Sequence, residues 1–229
     1  MNRGPVVRPS PEDRDRLRAE RLAEVSRFYS PLAHFMATTI FGVGVVVLAS
    51  LQVHHPSLLE LCVIPLALVI ANAAEWRIHK SILHERHFPF TPLYERHTPQ
   101  HHMIYVHGDM AMREWKETRL VMIPAYGVLL IAIAIFPLAM LLWWLGIPNL
   151  GFLYMATSVG YVVLYEWLHV TYHLPEDHPI SRIGFIKRLK NHHSVHHDPR
   201  LMQRYNFNVT FPVWDRVRGT LAPREAVRS

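Results

Sequence analysis

Histidines supply most of the chemistry that this sequence can perform. The chain has 17 histidines in 229 residues, and 14 of them fall in two windows, 79–107 and 169–197. Neutral imidazole is a good ligand for iron, zinc or copper, and burying many such rings without a partner would be costly. Ten of the histidines form four short boxes, which is more ligands than one ion accepts and therefore predicts two metal ions. In chain order, the boxes are His79 and His84; His97, His101 and His102; His169 and His173; His193, His196 and His197.

The spacing within the boxes indicates how the rings are presented. His169 and His173 are four residues apart, so on a helix they share one face and can converge on one ion. His79 and His84 are five apart, which is off one face of an α-helix and requires either a local distortion or ligation of different ions. The second and fourth boxes, each with a His two or three residues before a His-His, are expected to direct several imidazoles to the same side, where helix and loop meet.

Four apolar stretches must position these boxes. Each is near the ~20 residues that a helix needs to cross a bilayer, and a soluble protein of this length has too little polar surface to cover all four. The third stretch contains Pro124 and Pro137, which predict a kink or tilt. We therefore expect an all-α integral membrane protein with four transmembrane helices in two hairpins and a cytosolic, helical, His-rich cap. The stretches are Ala33–Val53, Leu58–Trp76, Leu120–Leu145 and Leu150–Leu168.

The basic residues predict the orientation. The 24 Lys and Arg residues fall in three blocks, Arg3–Arg27, Arg77–Arg119 and Arg182–Arg228. With four spans these blocks face one side, and the short turns at 52–57 and 146–149 on the other side contain none. The positive-inside bias thus places both termini and the histidine boxes in the cytoplasm. The net charge of +6 is explained by this topology and by attraction to anionic headgroups, so no nucleic-acid partner is expected.

The domain organisation follows from the same pattern. We expect a cytoplasmic N-terminal segment at 1–30, one membrane domain with the metal centre at 31–220, and a C-terminal tail at 221–229. The single cysteine, Cys62, can form no internal disulfide and is interpreted as a small apolar packing residue.

The order of the boxes resembles a known family. The series HX4H, HX3HH, HX3H, HX2HH, followed by the segment YNFNVTFPVWDRVRGT at Tyr205–Thr220, is similar to the fatty acid hydroxylase/sterol desaturase superfamily of integral-membrane enzymes. The resemblance covers about Glu75–Thr220. It implies a four-helix membrane domain with a cytosolic cap, and two iron ions held by the ten histidines named above. It also implies a separate electron donor, either cytochrome b5 or a ferredoxin with its reductase.

Some assignments stay open within that resemblance. The second box has three residues before His-His where many members have two, so His87 is an alternative to His97, and His192 is an alternative to His193. His107 is a candidate to support a ligand rather than to be one. Glu75 and Glu166 are either simple interfacial carboxylates or acceptors for a ligand's second ring nitrogen. The two Glu-x-x-His motifs of soluble di-iron bundles are not both present in the sequence, so the centre is expected to be nearly all nitrogen.

The predicted reaction is O2-dependent hydroxylation of a fatty acyl or sterol-like lipid at an unactivated C–H bond. Lipid desaturation within the same superfamily is the alternative. The sequence has no G-x-G-x-x-G fingerprint, so electrons are expected from another protein. A zinc-binding structural membrane protein is a further alternative. A metal transporter is disfavoured because its ligands should lie near the middle of the membrane, whereas these boxes follow the spans.

Topology can be tested with compartment-specific labels. Labels at residues 55 and 148 should react only from the non-cytoplasmic side, because the turns that carry them lack Lys and Arg. Labels at residue 100 and at the C-terminus should react from the cytoplasm. If positions 55 and 100 reacted from the same compartment, the four-span prediction would be wrong.

Overall fold

The computed structural model of the chain describes residues 8–223 and 225–226. Every regular element among these residues is a helix, apart from an isolated β-bridge between Val106 and Asp109. Two short π-helices lie at His79–Leu83 and His97–His101, and 3-10 turns lie at Trp115–Glu117 and Pro179–Arg182. The α-helices are α1 Pro11–Ala23, α2 Pro31–Ser50, α3 Leu58–Leu61, α4 Val63–Ile78, α5 Thr91–Arg96, α6 His102–Ile104, α7 Thr118–Val121, α8 Gly127–Trp144, α9 Pro148–Tyr172, α10 Gly184–His196 and α11 Val213–Val217.

The chain divides into two compact units. The apolar unit consists of Ser30–Ala71 and Met122–Trp167. The histidine unit consists of Met1–Tyr29, Asn72–Val121 and Leu168–Ser229, and it carries all ten predicted ligands.

Three helical stretches among the described residues are long and apolar enough to cross a membrane. They are α2 at Pro31–Ser50, the run of α3, α4 and the first π-helix at Leu58–Leu83, and α8 at Gly127–Trp144. Their apolar side chains are largely exposed, for example Ile40 at 61 %, Leu68 at 42 % and Ile133 at 57 %. Exposed apolar surface of this extent indicates a lipid environment rather than water. The chain is therefore an all-helical membrane protein.

The fourth predicted stretch forms a helix of a different character. α9 has 25 residues, which is long enough to cross a bilayer, but it is not among the three apolar helices. Asn149, Ser158 and Glu166 make it more polar than the others. A fourth crossing therefore stays a prediction.

The third predicted stretch begins later than expected. The sequence predicts a helix from Leu120, whereas α8 begins at Gly127 after α7 has ended at Val121. Pro124 lies in the break between the two helices. Proline cannot donate a backbone hydrogen bond and disfavours helical geometry in the residue before it, so it separates the two helices. Pro137 lies inside α8 without ending it.

Two contacts organise the apolar unit. The predicted outer turns meet, because the Asn149 side chain accepts from the His54 N–H at 3.0 Å and donates to the His54 carbonyl at 2.9 Å. α9 approaches α8 closely at Gly151, where a Cβ atom would lie 2.5 Å from the Ala139 carbonyl oxygen. Only glycine allows this approach, so Gly151 sets the packing of this hairpin.

Candidate metal centre

The histidine unit brings all ten predicted ligands together in two groups of five. In each group the ligand atoms lie within 4.8 Å of one another, and every ring is buried except that of His97, which is intermediate. Group one is His79, His84, His97, His102 and His196; group two is His101, His169, His173, His193 and His197.

Two π-helices account for the five-residue spacings. A π-helix closes its turn with i→i+5 hydrogen bonds, so residues five apart lie on the same side. The π-helix His79–Leu83 places His79 and His84 in group one with ring centroids 5.1 Å apart. The π-helix His97–His101 does the same for His97 and His102, at 4.6 Å. The local distortion considered for His79 and His84 is thus a π-turn. In both π-helices, the two histidines that are five residues apart belong to the same group.

Group two uses ordinary α-helical spacing. His169 and His173, at the end of α9, have ring centroids 5.0 Å apart. His193 and His197 are also four residues apart and lie at 4.6 Å. The expectation that His169 and His173 converge agrees with this geometry.

The adjacent histidine pairs divide between the groups. His101 belongs to group two and His102 to group one, while His196 belongs to group one and His197 to group two. The second and fourth boxes each direct two imidazoles to one group, His97 with His102 and His193 with His197. Their adjacent histidines point to different groups because consecutive residues on a helix point about 100° apart. The two groups are consequently neighbours, and the stacked rings of His102 and His197 lie 4.1 Å apart across them.

Main-chain carbonyls orient the rings of group two. Nδ1 lies 3.1 Å from the Leu120 oxygen in His101, 2.7 Å from the Met110 oxygen in His173, and 2.6 Å from the Tyr105 oxygen in His197. A carbonyl oxygen only accepts, so each Nδ1 carries the proton and each Nε2 keeps a bare lone pair. Within the described residues, the buried Nε2 atoms of His101 and His173 have no hydrogen-bond partner.

Group one has the same arrangement. His196 Nδ1 donates to the Tyr205 oxygen at 2.8 Å. The Thr98 hydroxyl donates to the Leu83 oxygen, so it accepts from His84 Nδ1 at 3.1 Å. The Nε2 atoms of His84 and His196 are therefore both unprotonated, yet they lie 3.0 Å apart. Two lone pairs facing each other at this distance repel unless a cation lies beside them, so these residues fit a metal ion.

Burial keeps the rings neutral. Burial, followed by the neighbouring imidazoles, lowers the pKa of His101, His102, His193 and His196 well below 6.5. Burial also lowers the pKa of His197 from 6.5 to about 3. Neutral imidazole is the form that binds a metal, so both groups are prepared for ions at physiological pH.

The C-terminal segment 205–220 fixes the carbonyls that serve group one. The oxygen of Phe207 accepts from His79 Nδ1 at 2.5 Å. The buried Asp215 carboxylate accepts from the N–H groups of Phe207 at 3.0 Å and Asn208 at 2.9 Å. The Asn208 side chain donates to the Asn72 carbonyl at 2.9 Å. This segment is therefore fastened both internally and to α4. Its sequence supported the family resemblance, but its role in orienting the rings of group one was not predicted.

The two carboxylates that we considered as ring acceptors have other observed contacts. Glu75 accepts from the N–H groups of Val209 and Thr210 and from the Thr210 hydroxyl at 2.6 Å, so it fastens the same segment. Glu166 accepts from the Ile123 N–H at 3.2 Å. In most of the ring contacts described above a main-chain carbonyl orients the ring, and a carbonyl carries no residue-type signal in the sequence.

The alternative histidines lie outside the two groups. His87 is half-exposed, and its Nε2 lies 3.4 Å from a Glu85 oxygen. His192 Nε2 lies 3.4 Å from Asp215. His107 Nδ1 lies 3.0 Å from the Ser194 hydroxyl on α10. The geometry favours His97 and His193 as ligands over His87 and His192.

Comparison with known protein families gives a match over the region of the histidines. The sequence model of the fatty acid hydroxylase family matches residues 64–220, more than half of the chain, and this range contains all ten candidate ligands. No curated protein and no solved structure matches significantly.

Two neighbouring candidate ligands at the C-terminal end of α10 provide a test of the two groups. His196→Ala and His197→Ala should each lose at least one of two bound ions, because each removes one of five imidazoles from a different group. His87→Ala is the matched control and should keep both ions, since its ring is outside the groups. Metal content of the purified variants is the measurement, and full content in His196→Ala would exclude the assignment.

Acid should destabilise the metal-free protein. His197 has a pKa of about 3 in the folded protein, and an unfolded histidine has a pKa of about 6.5. Its neutral ring therefore stabilises the folded state fully above pH 6.5, and this stabilisation is lost as the pH falls towards 3. Each such histidine should lower the free energy of unfolding by about 1.4 kcal/mol per pH unit below 6.5. Thermal unfolding of the metal-free protein between pH 7.5 and 5 measures this. His197→Ala should flatten the slope, and a flat wild-type profile would contradict the burial of neutral rings.

Proposed function

We propose that this chain, which belongs to the fatty acid hydroxylase family, is a membrane-bound di-iron enzyme that hydroxylates a lipid at an unactivated C–H bond with O2. Family membership implies an oxidoreductase with lipid hydroxylase or desaturase activity. The histidine groups are compatible with a metal site. The identity of the ions and their number are part of the proposal.

The observation that carries the proposal is the pair of adjoining, all-imidazole groups. Five ligands in each group exceed the four that a structural zinc site uses, which argues against a zinc-bearing structural protein. Imidazole suits iron, and the division of the 101–102 and 196–197 pairs places the groups side by side. We therefore propose one iron ion in each group, with the ten histidines as ligands.

The protein's own residues would supply position and exclusion of water. Bound iron would supply the activation of O2 and the removal of hydrogen from carbon. The carbonyls of residues such as Tyr105, Met110 and Tyr205 hold each ring in one tautomer and one orientation. Burial of the rings keeps bulk water away, so a reactive centre would be protected from side reactions.

The environment of the centre fits a lipid substrate. Three apolar helices indicate a membrane protein, and His79 directly follows α4 in the chain. We propose that α9 is a fourth span and that the histidines and both termini face the cytoplasm, as the distribution of Lys and Arg indicates. There a separate electron-transfer protein of the cytochrome b5 or ferredoxin type can reach the centre.

Isotopic oxygen tests the reaction. With 18O2, ordinary water and an external reductant, the lipid product should gain one heavy oxygen atom, because hydroxylation takes its oxygen from the gas. Lipid extracts of membranes that contain the protein, analysed by mass spectrometry, provide the measurement. His196→Ala is the matched negative control, because it removes a proposed ligand.

The other outcomes separate the alternatives. A product that has lost two hydrogens and gained no oxygen would indicate a desaturase. Oxygen that came from water would indicate a metal-bound hydroxide and would overturn the oxidase proposal.

A further inference from the structure

The N-terminal helix α1 is fastened to the segment 105–117, far away in the sequence. Arg14 and Arg18, the two residues of α1 that are buried, have side chains only 8 % and 5 % exposed. A charged helix that served only as a solvated or membrane-surface element would not bury its arginines. The contacts are Arg8 to the His107 oxygen at 2.9 Å, Arg14 to Asp109 at 2.5 Å, Arg18 to Glu117 at 3.2 Å, Arg113 to Asp15 at 2.7 Å, and Lys116 to the Leu22 oxygen at 3.1 Å.

The segment 105–117 contacts the ligands of group two. Its Tyr105 carbonyl accepts from His197 Nδ1 at 2.6 Å, and its Met110 carbonyl accepts from His173 Nδ1 at 2.7 Å. The Met112 N–H also donates to the His173 carbonyl at 2.8 Å. The position of this segment therefore determines the orientation of two of the five rings.

Glu117 connects the segment to α1. Its carboxylate, with none of its side chain exposed, accepts from the Tyr105 hydroxyl at 2.7 Å and from Arg18 Nε at 3.2 Å. The same carboxylate accepts from the N–H groups of Arg113 at 2.9 Å and Glu114 at 3.3 Å. A continuous chain of hydrogen bonds thus runs from Arg18 through Glu117 and the Tyr105 side chain to the residue whose carbonyl orients His197.

Group one depends on a different part of the chain. His79 and His196 are oriented by carbonyls of the segment 205–220, and His84 by Thr98. The hydrogen bonds and ion pairs given above all go to the segment 105–117, while α1 also packs against α6, which carries His102 of group one. Breaking the Arg18–Glu117 contact alone leaves that packing in place, so it should affect group two and spare group one.

We propose that Arg18, Glu117 and Tyr105 are positioning residues for the metal ion of group two. They hold the segment 105–117, whose carbonyls orient two of the rings that would bind this ion. We call the contact between α1 and this segment the clasp. The inference rests on the proposed function only in requiring that both groups bind metal. Its physical basis is that partners of a ligand's second nitrogen set the ring's direction, and their loss typically weakens metal binding by about 10-fold to 100-fold.

Iron release from the full-length protein tests the clasp. The protein, loaded with Fe(II) without oxygen, is mixed with a chromogenic iron chelator, and the release of each ion is followed. In Arg18→Met one of the two ions should leave at least ~10-fold faster than in the wild type, and the other should leave at the wild-type rate. Arg16→Met is the matched control on α1, because the ion pair of Arg16 with Asp13 is exposed, and both ions should behave as in the wild type.

Two further variants guard against misfolding. Tyr105→Phe removes one hydroxyl and keeps the Arg18–Glu117 pair, so it should accelerate release of the same ion by roughly 5-fold, as expected for one hydrogen bond. Arg18→Lys retains the charge and should restore most of the slow release. A purely structural contribution of α1 would instead accelerate both ions together.

Ligand variants identify the ion that leaves. Combined with His84→Ala, which disables group one, Arg18→Met should retain only the fast ion; combined with His193→Ala, which disables group two, it should retain only the slow ion. A fast ion that persisted in the His193→Ala background would overturn the clasp, as would unchanged release in both Arg18→Met and Tyr105→Phe. A wild-type protein that bound no iron would overturn the proposed function itself, which is a different result.

Discussion

Ten neutral imidazoles packed into one interior impose the constraint on which the rest of the histidine unit depends. Each ring has two nitrogens, and a buried nitrogen without a partner is costly. The protein meets this cost by giving Nδ1 of many rings a main-chain or hydroxyl acceptor, which leaves Nε2 directed into the group. Carbonyls suit the task because they accept and never donate. Burial lowers the pKa of the rings of His101, His196 and His197, and this effect is larger than the rise that their hydrogen bonds to carbonyls cause. The segments 105–117 and 205–220 supply most of these acceptors.

The acceptors themselves must be held still, and buried carboxylates hold them. Asp215 fixes the segment that serves group one, and Glu117 fixes the segment that serves group two. Each carboxylate collects several N–H or O–H donors, which compensates for its removal from water. The negative charges thus act on the rings only through these segments, and the two groups consist of neutral imidazoles.

Much of the site could be predicted from the sequence because ligand types and spacings are local properties. The ten histidines, the need for a distortion between His79 and His84, and the convergence of His169 with His173 all follow from the number of residues between them. The division of the 101–102 and 196–197 pairs was not predicted, because it depends on how the helices face one another. The orienting carbonyls could not be predicted, since every residue has one. In the fold, three of the four predicted membrane helices were evident from composition, whereas the start of α8 depended on Pro124.

The two π-helices carry a consequence for how this chain can change. A π-turn is equivalent to an α-helix with one extra residue inserted, and the insertion brings positions five apart into register. Deleting any one residue from 80–83 would let the helix relax to α geometry and would also shorten the interval between His79 and His84 to four. The two rings and the residues beyond them would then keep nearly their present directions, whereas a change to α geometry without the deletion would rotate His84 and every residue beyond it by about 100°. The length of each interval and its local helix geometry can therefore change only together, and an insertion or deletion without a matching change of helix type should displace a ligand.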